Sequence, residues 1–115
     1  MLVADCLREL KNAIVNSEEY QRFERAKQSL DEFPELKHQV EEWRRRYYII
    51  QNQDGIDLFD EVDSLQEEYA RIRKNPLMRE FLASELLVCH MIQEVYREIL
   101  DSVDLDLQFL DETAL

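Results

Sequence analysis

Three features of the sequence predict an all-α fold. There is a single Gly and two Pro in 115 residues, apolar residues recur at three- and four-residue spacing, and a clear helix start stands at Asn75-Pro76. Few turn formers mean few turns and long helices. A hydrophobic content of 45% rules out a wholly disordered chain, and the length suits one domain with a modest core. The expected architecture is a kinked antiparallel helical hairpin or bundle of about five helical segments, intertwined with further copies of itself. Residues 1–103 form its single domain and residues 104–115 an acidic-hydrophobic tail.

The first helix is carried by Val3, Cys6, Leu7, Leu10, Ala13 and Ile14, and Asn16-Ser17 ends it and starts the next. With Asn16 as cap, Glu19 completes a capping box; with Ser17 as cap, Glu18 and Glu19 both favour the positive helix end. The second helix turns Tyr20, Phe23, Ala26 and Leu30 inward, and Lys27 falls inside that stripe. Pro34 opens a third helix with Phe33 in the cap position, where Asp or Asn would serve better. Leu36, Val40, Trp43, Tyr47 and Ile50 then repeat as the seam of a helix packed along another. Glu41–Arg45 and Glu42–Arg46 are i,i+4 pairs on its surface. Asn52-Gln53-Asp54-Gly55 is the clear turn. Leu58, Val62, Leu65, Tyr69 and Ile72 mark a fourth helix.

In the fifth, Asn75 caps and Pro76 takes the first position, where its missing N–H costs nothing. Leu77, Met78, Phe81, Leu82, Val88, Cys89, Ile92, Val95, Tyr96, Ile99 and Leu100 share a broad face, with overspill around Leu86 to Ile92. A helix apolar on more than one side has more than one neighbour, so this one is expected at the centre of the fold and shared between subunits. From Val103 to Phe109 the pattern alternates with period two, which suits an extended segment; a frayed helix end fits as well.

The net charge of −12 is uneven. Residues 1–50 hold nine Lys/Arg against ten Asp/Glu, and residues 51–115 hold five against sixteen. Such a surface repels phosphate backbones and anionic membranes, which argues against direct nucleic-acid binding by the second half. Met1–Asp5 has no basic leader and no segment approaches a membrane span, so a cytoplasmic protein is expected. Cys6 and Cys89, both on apolar helix faces, read as reduced core residues.

Ser17-Glu18-Glu19-Tyr20, the Pro34 helix ending in a Gly55 turn, and Asn75-Pro76 followed by Ala83-Ser84-Glu85 resemble the YlbF/YmcA family of small bacterial helical proteins over about residues 1–103. The resemblance implies an all-α, oligomeric, cytosolic protein. It further implies a non-catalytic regulator of competence, sporulation and biofilm programmes, acting through complexes linked to RNA turnover. Phe33 and the basic, aromatic stretch Trp43 to Tyr48 depart from the family pattern. So does the absence of cysteines from the tail, where certain members hold an iron–sulfur centre.

No catalytic constellation stands out, and neither cofactor nor metal is expected. Glu35-x-x-His38 has a di-iron spacing, but His38 projects about 160° from the seam residue Leu36. His90, Glu94 and Glu98 lie on a polar face, and Cys6 and Cys89 lack ligand spacing for a cluster. Arg44-Arg45-Arg46-Tyr47-Tyr48 fits RNA by charge and stacking, yet Tyr47 belongs to the seam and Glu41 and Glu42 neutralise two arginines. Metal or iron–sulfur binding and direct RNA binding therefore remain the alternatives to a protein–protein adaptor. The expected partner-binding residues are Trp43, Arg44, Arg45, Arg46 and Tyr48, with Leu86, Cys89, Ile92 and Tyr96 for self-association; other regulatory proteins are the remaining partners. Glu85 falls near the middle of the apolar face, where a carboxylate needs a counter-charge. Lys27, equally misplaced on its own helix, is the expected partner in a buried ion pair, and the tail is expected to dock against the third helix.

Overall fold

A computed structural model describes residues 2–52, 58–104, 106, 108 and 109, with the side chains of 58 and 59 left aside. The chain is all-α. Helix α1 spans Val3–Val15, α2 Glu18–Asp31, α3 Pro34–Asn52, α4 Leu58–Ile72 and α5 Pro76–Ser102. The turn expected at residues 53–55 lies outside the described residues. So do several positions of the tail, namely 105, 107 and 110–115.

Helix boundaries follow the capping chemistry. Ser17 is the cap of α2: its Oγ accepts from Tyr20 N at 3.2 Å and donates to the Ile14 carbonyl at 2.6 Å, so one hydroxyl closes α1 and opens α2. Asn75 Oδ1 accepts from Leu77 N and Met78 N at 2.9 and 3.1 Å, ahead of Pro76 at the helix start. Helix α5 ends at Ser102, after which Val103 is extended (φ −113°, ψ 112°). Asp106, at φ 55°, donates its N–H to Asp104 Oδ1 at 2.8 Å, a local turn of the kind aspartate supports.

The core sits where α2, α3 and the first half of α5 meet. Ala26, Leu30, Val40, Ile72, Met78, Phe81 and Leu82 are buried together, with Phe23, Leu36, Trp43 and Leu77 packed against them. Ser84 is fully buried, and its Oγ donates to the Phe81 carbonyl at 3.0 Å. A small, internally satisfied side chain there keeps a polar group inside the core without leaving it unpaired. The densest packing is α2 on α5, followed by α3 on α4, while α1 is held mainly through α2.

The α3–α4 seam is aromatic. Trp43 stacks on Tyr47 (centroids 5.2 Å, 11° between planes) and leans on Tyr69 at 5.3 Å. The Trp43 indole N–H donates to the Leu65 carbonyl at 3.0 Å, giving a half-buried Trp the partner its polar edge needs. Val40, Leu65 and Ile72 of the expected seams are buried, whereas Tyr47, Val62 and Tyr69 stay partly exposed.

Leu30→Ala should lower stability to urea by about 3 kcal/mol, because it empties a site at the centre of the core. Asn75→Ala should cost about 1 kcal/mol through the lost cap, with the helical circular dichroism of the folded state unchanged.

Candidate interaction surface

Glu85 lies on α5 one residue beyond the buried Ser84, at the junction with α3, and its side chain is 26% exposed. Its counter-charge is Arg44: Nη2 stands 2.8 Å from Glu85 Oε2. This corrects the expected Lys27–Glu85 pair. Lys27 is exposed and lines a cleft of about 200 Å³ with Phe23, Leu30, Val40, Arg44 and Phe81. A lysine inside an apolar stripe can lay its aliphatic stem along such a wall and keep its ammonium in water. Arg44, from the opposite wall, brings its guanidinium over the Phe81 ring, 5.3 Å from the centroid. That stacked attitude competes with an aligned fork, and Glu85 Oε2 is buried beside the charge without a directed hydrogen bond.

The electrostatic result is a contrast between two carboxylates on one helix. Burial pushes the Glu85 carboxyl above the ordinary range, and Arg44 only partly opposes it. Glu80, five residues earlier, is held below that range, chiefly by hydrogen bonds from Arg22, whose Nη2 lies 2.9 Å from Oε2 and whose Nε donates to Oε1. The Arg22–Glu80 fork escaped the reading of the sequence. Its signal was there, because each partner immediately precedes one of the two phenylalanines that meet between α2 and α5, Phe23 and Phe81 (centroids 5.3 Å).

All three arginines of the 44–46 run have carboxylate partners within the chain. Arg44 faces Glu85, Arg45 pairs with Glu42 one turn back, and Arg46 bridges to Glu68 and to Ser64 Oγ (2.9 Å) on α4. Glu42 thus serves Arg45 rather than Arg46, because Arg46 is drawn across to α4. Beside them Trp43 is half-buried in the seam, and Tyr48 is 68% exposed. The arginines that a tail docked on α3 would meet are therefore already paired within the chain.

The second half of α5 presents a different surface. Leu86, Cys89, Ile92 and Tyr96 are all exposed, the last at 65%, and Ile99 and Leu100 extend the stripe. Leu86, Ile92, Tyr96 and Leu100 lie within about 60° of Cys89 around the helix, so they form one continuous face. Nothing after Val88 is buried in α5. Cys6 and Cys89 are free and exposed, not core residues as expected, since no other helix of the chain lies over the faces that carry them. Glu35, His38, His90, Glu94 and Glu98 are exposed. Among the described residues no three potential metal ligands cluster, and no helix is long and apolar enough to cross a membrane.

The described residues define a small all-α protein with one core and a long apolar helix face that the rest of the chain leaves uncovered. Residues 3–104 match the model of a family described as control of competence regulator ComK, YlbF/YmcA, and the chain belongs to that family. It is similar to a UPF0342 protein of Caldicellulosiruptor saccharolyticus, 30% identical over 106 residues that cover 90% of this chain and 88% of that protein. A UPF0342 protein of Caldicellulosiruptor bescii is 28% identical over 105 residues, covering 89% and 88% respectively. No solved structure matches the chain.

Double-mutant cycles should give a coupling of about 1 kcal/mol for Arg44 with Glu85 and near-additivity for Lys27 with Glu85. The raised Glu85 carboxyl means the folded state holds its proton more tightly than the unfolded chain. Its contribution to stability is therefore fully present below the ordinary glutamate range and is lost as pH rises through the folded value; Glu80 contributes with the opposite sign. Glu85→Gln should remove the first dependence. Arg44→Met should raise the Glu85 midpoint further in a carboxyl NMR titration, and a fall instead would show that Arg44 does not stabilise the ionised form.

Proposed function

We propose that the protein is a non-catalytic regulatory adaptor that acts through protein–protein contacts, with itself and with other regulatory proteins. The observation that carries this reading is the uncovered stripe Leu86, Cys89, Ile92 and Tyr96. An apolar face of that extent is an association surface by the usual behaviour of soluble proteins, which rarely leave one contiguous and bare. Membership of a family described by control of a competence regulator supports a regulatory role. Tyr48, exposed beside the Trp43 seam, is the second contact point, where an aromatic side chain offers large area at small entropic cost. Trp43 and the arginines act there by fixing the helix that presents it. The direct RNA reading is weakened by the internal pairing of Arg44, Arg45 and Arg46, which occupies the guanidiniums of that run with carboxylates of the same chain. The protein is proposed to work in the cytoplasm.

Ile92→Lys and Tyr96→Lys should each convert an associated species to monomer in light scattering while leaving the helical signal intact. Affinity purification from the native cell with these variants and with Tyr48→Ala should lose specific co-purifying proteins relative to wild type. A wild-type chain that stays monomeric and captures the same proteins as all three variants would overturn the reading.

A further inference from the structure

We infer that the uncovered face of α5 is occupied by helix α1 of a second copy, so that two chains exchange their first helices across a two-fold axis. The inference rests on the self-association reading above and assigns the surfaces that meet. The chain is too open to be finished alone. It exposes 9483 Å², against about 6,700 Å² for a folded monomer of its mass, and its radius of gyration is 18.1 Å against about 13 Å for a compact chain of this length. The excess, about 2,800 Å², is at or above the upper end of what obligate homodimers remove, roughly 1,000–2,500 Å² or more per partner.

Two helices carry the uncovered apolar area. Helix α1 has no buried residue, with Val3 84% and Leu7 49% exposed and the Cys6 thiol exposed beside them. The second half of α5 exposes Cys89, Ile92, Tyr96 and Ile99. Within one chain these faces do not cover each other, since both remain exposed. Their lengths agree: α1 has 13 residues, about 20 Å, and the stretch of α5 beyond Val88 is about as long.

The apolar area left over decides between this arrangement and α5 stacked on α5 of the second copy. Helix α5 on α5 would leave α1 bare along its whole length, whereas α1 on α5 covers both uncovered faces at once. Helix α1 is neutral, with Arg8 and Lys11 balancing Asp5 and Glu9, so it brings no net charge against α5. Because every contact of α1 with the second copy's α5 occurs twice, the assembly closes as a dimer instead of growing.

The native thiols test this directly, since Cys6 and Cys89 sit on the two faces that would meet. A short bismaleimide, which joins two thiols by addition, should convert the wild-type chain to covalent dimer. Cys6→Ser and Cys89→Ser should each abolish the product, and an equal mixture of the two variants should restore a singly linked heterodimer. Leu7→Glu, at an exposed position that cannot unfold the monomer by burying a charge, should weaken association at least tenfold in light scattering. Linkage persisting in either single variant, a link formed within one chain, or no link in a chain that light scattering shows to be dimeric would overturn the assignment of surfaces and leave self-association standing. A monomer at every concentration would overturn both.

Discussion

The fold depends on the contact of Phe81 with two other helices. Its ring meets Phe23 of α2 on one side and lies under the Arg44 guanidinium of α3 on another, both at 5.3 Å. Around it Leu30, Val40, Met78 and Leu82 close the core, and the Arg22–Glu80 fork clamps the α2–α5 edge one residue away. A single aromatic side chain therefore fixes three of the five helices relative to one another. Truncating it would remove packing and also strip the stacking partner that holds Arg44 in place. The α3–α4 pair hangs from this junction through α3 and is organised by its own aromatic, Trp43, whose indole bond to the Leu65 carbonyl makes the seam directional.

Much of this order was visible in the residues. Asn75-Pro76, Ser17 and Pro34 mark helix starts by hydrogen-bond chemistry that needs no tertiary context, and the structure begins its helices there. Periodicity placed Ala26, Leu30, Val40, Leu65 and Ile72 inward, and they are buried. It could not choose Glu85's partner. Projection around one helix gives the direction of a side chain but not which helix lies in that direction, and α3, not α2, supplies the cation. Nor does periodicity separate an apolar face covered by the same chain from one left bare, which is why Cys6 and Cys89 read as core yet are exposed. Local charge pairing fails at Arg46 for a related reason: the carboxylate that engages it is Glu68, far along the chain, and not Glu42 four residues back.

The two halves of α5 divide the work of the protein. The first half spends its apolar residues on the core and sets Ser84 where only a small side chain fits. The second half continues the same helix into solvent, so the proposed association would not cost the entropy of ordering a flexible segment. Between them Glu85 stands as a half-buried charge held by one cation. A pair of this kind adds little net stability, because desolvation offsets the attraction, but it penalises any register of α3 on α5 that would separate the two. The angle at which the stripe leaves the core is thus set by specificity as well as packing.

Charge then selects what can approach that stripe. The cations of the first half are mostly consumed inside the chain: Arg22 by Glu80, Lys37 by Asp31, and Arg44, Arg45 and Arg46 by Glu85, Glu42 and Glu68. Among the described residues of the second half, Asp60, Glu61, Asp63, Glu94, Glu98 and Asp101 stay exposed along α4 and the end of α5. An apolar face bordered by carboxylates repels phosphate backbones and anionic lipid while leaving neutral or basic helical surfaces free to dock. In the association proposed above, apolar area supplies the drive, and the acidic surface narrows the partners to proteins that bring an apolar face without a matching negative charge.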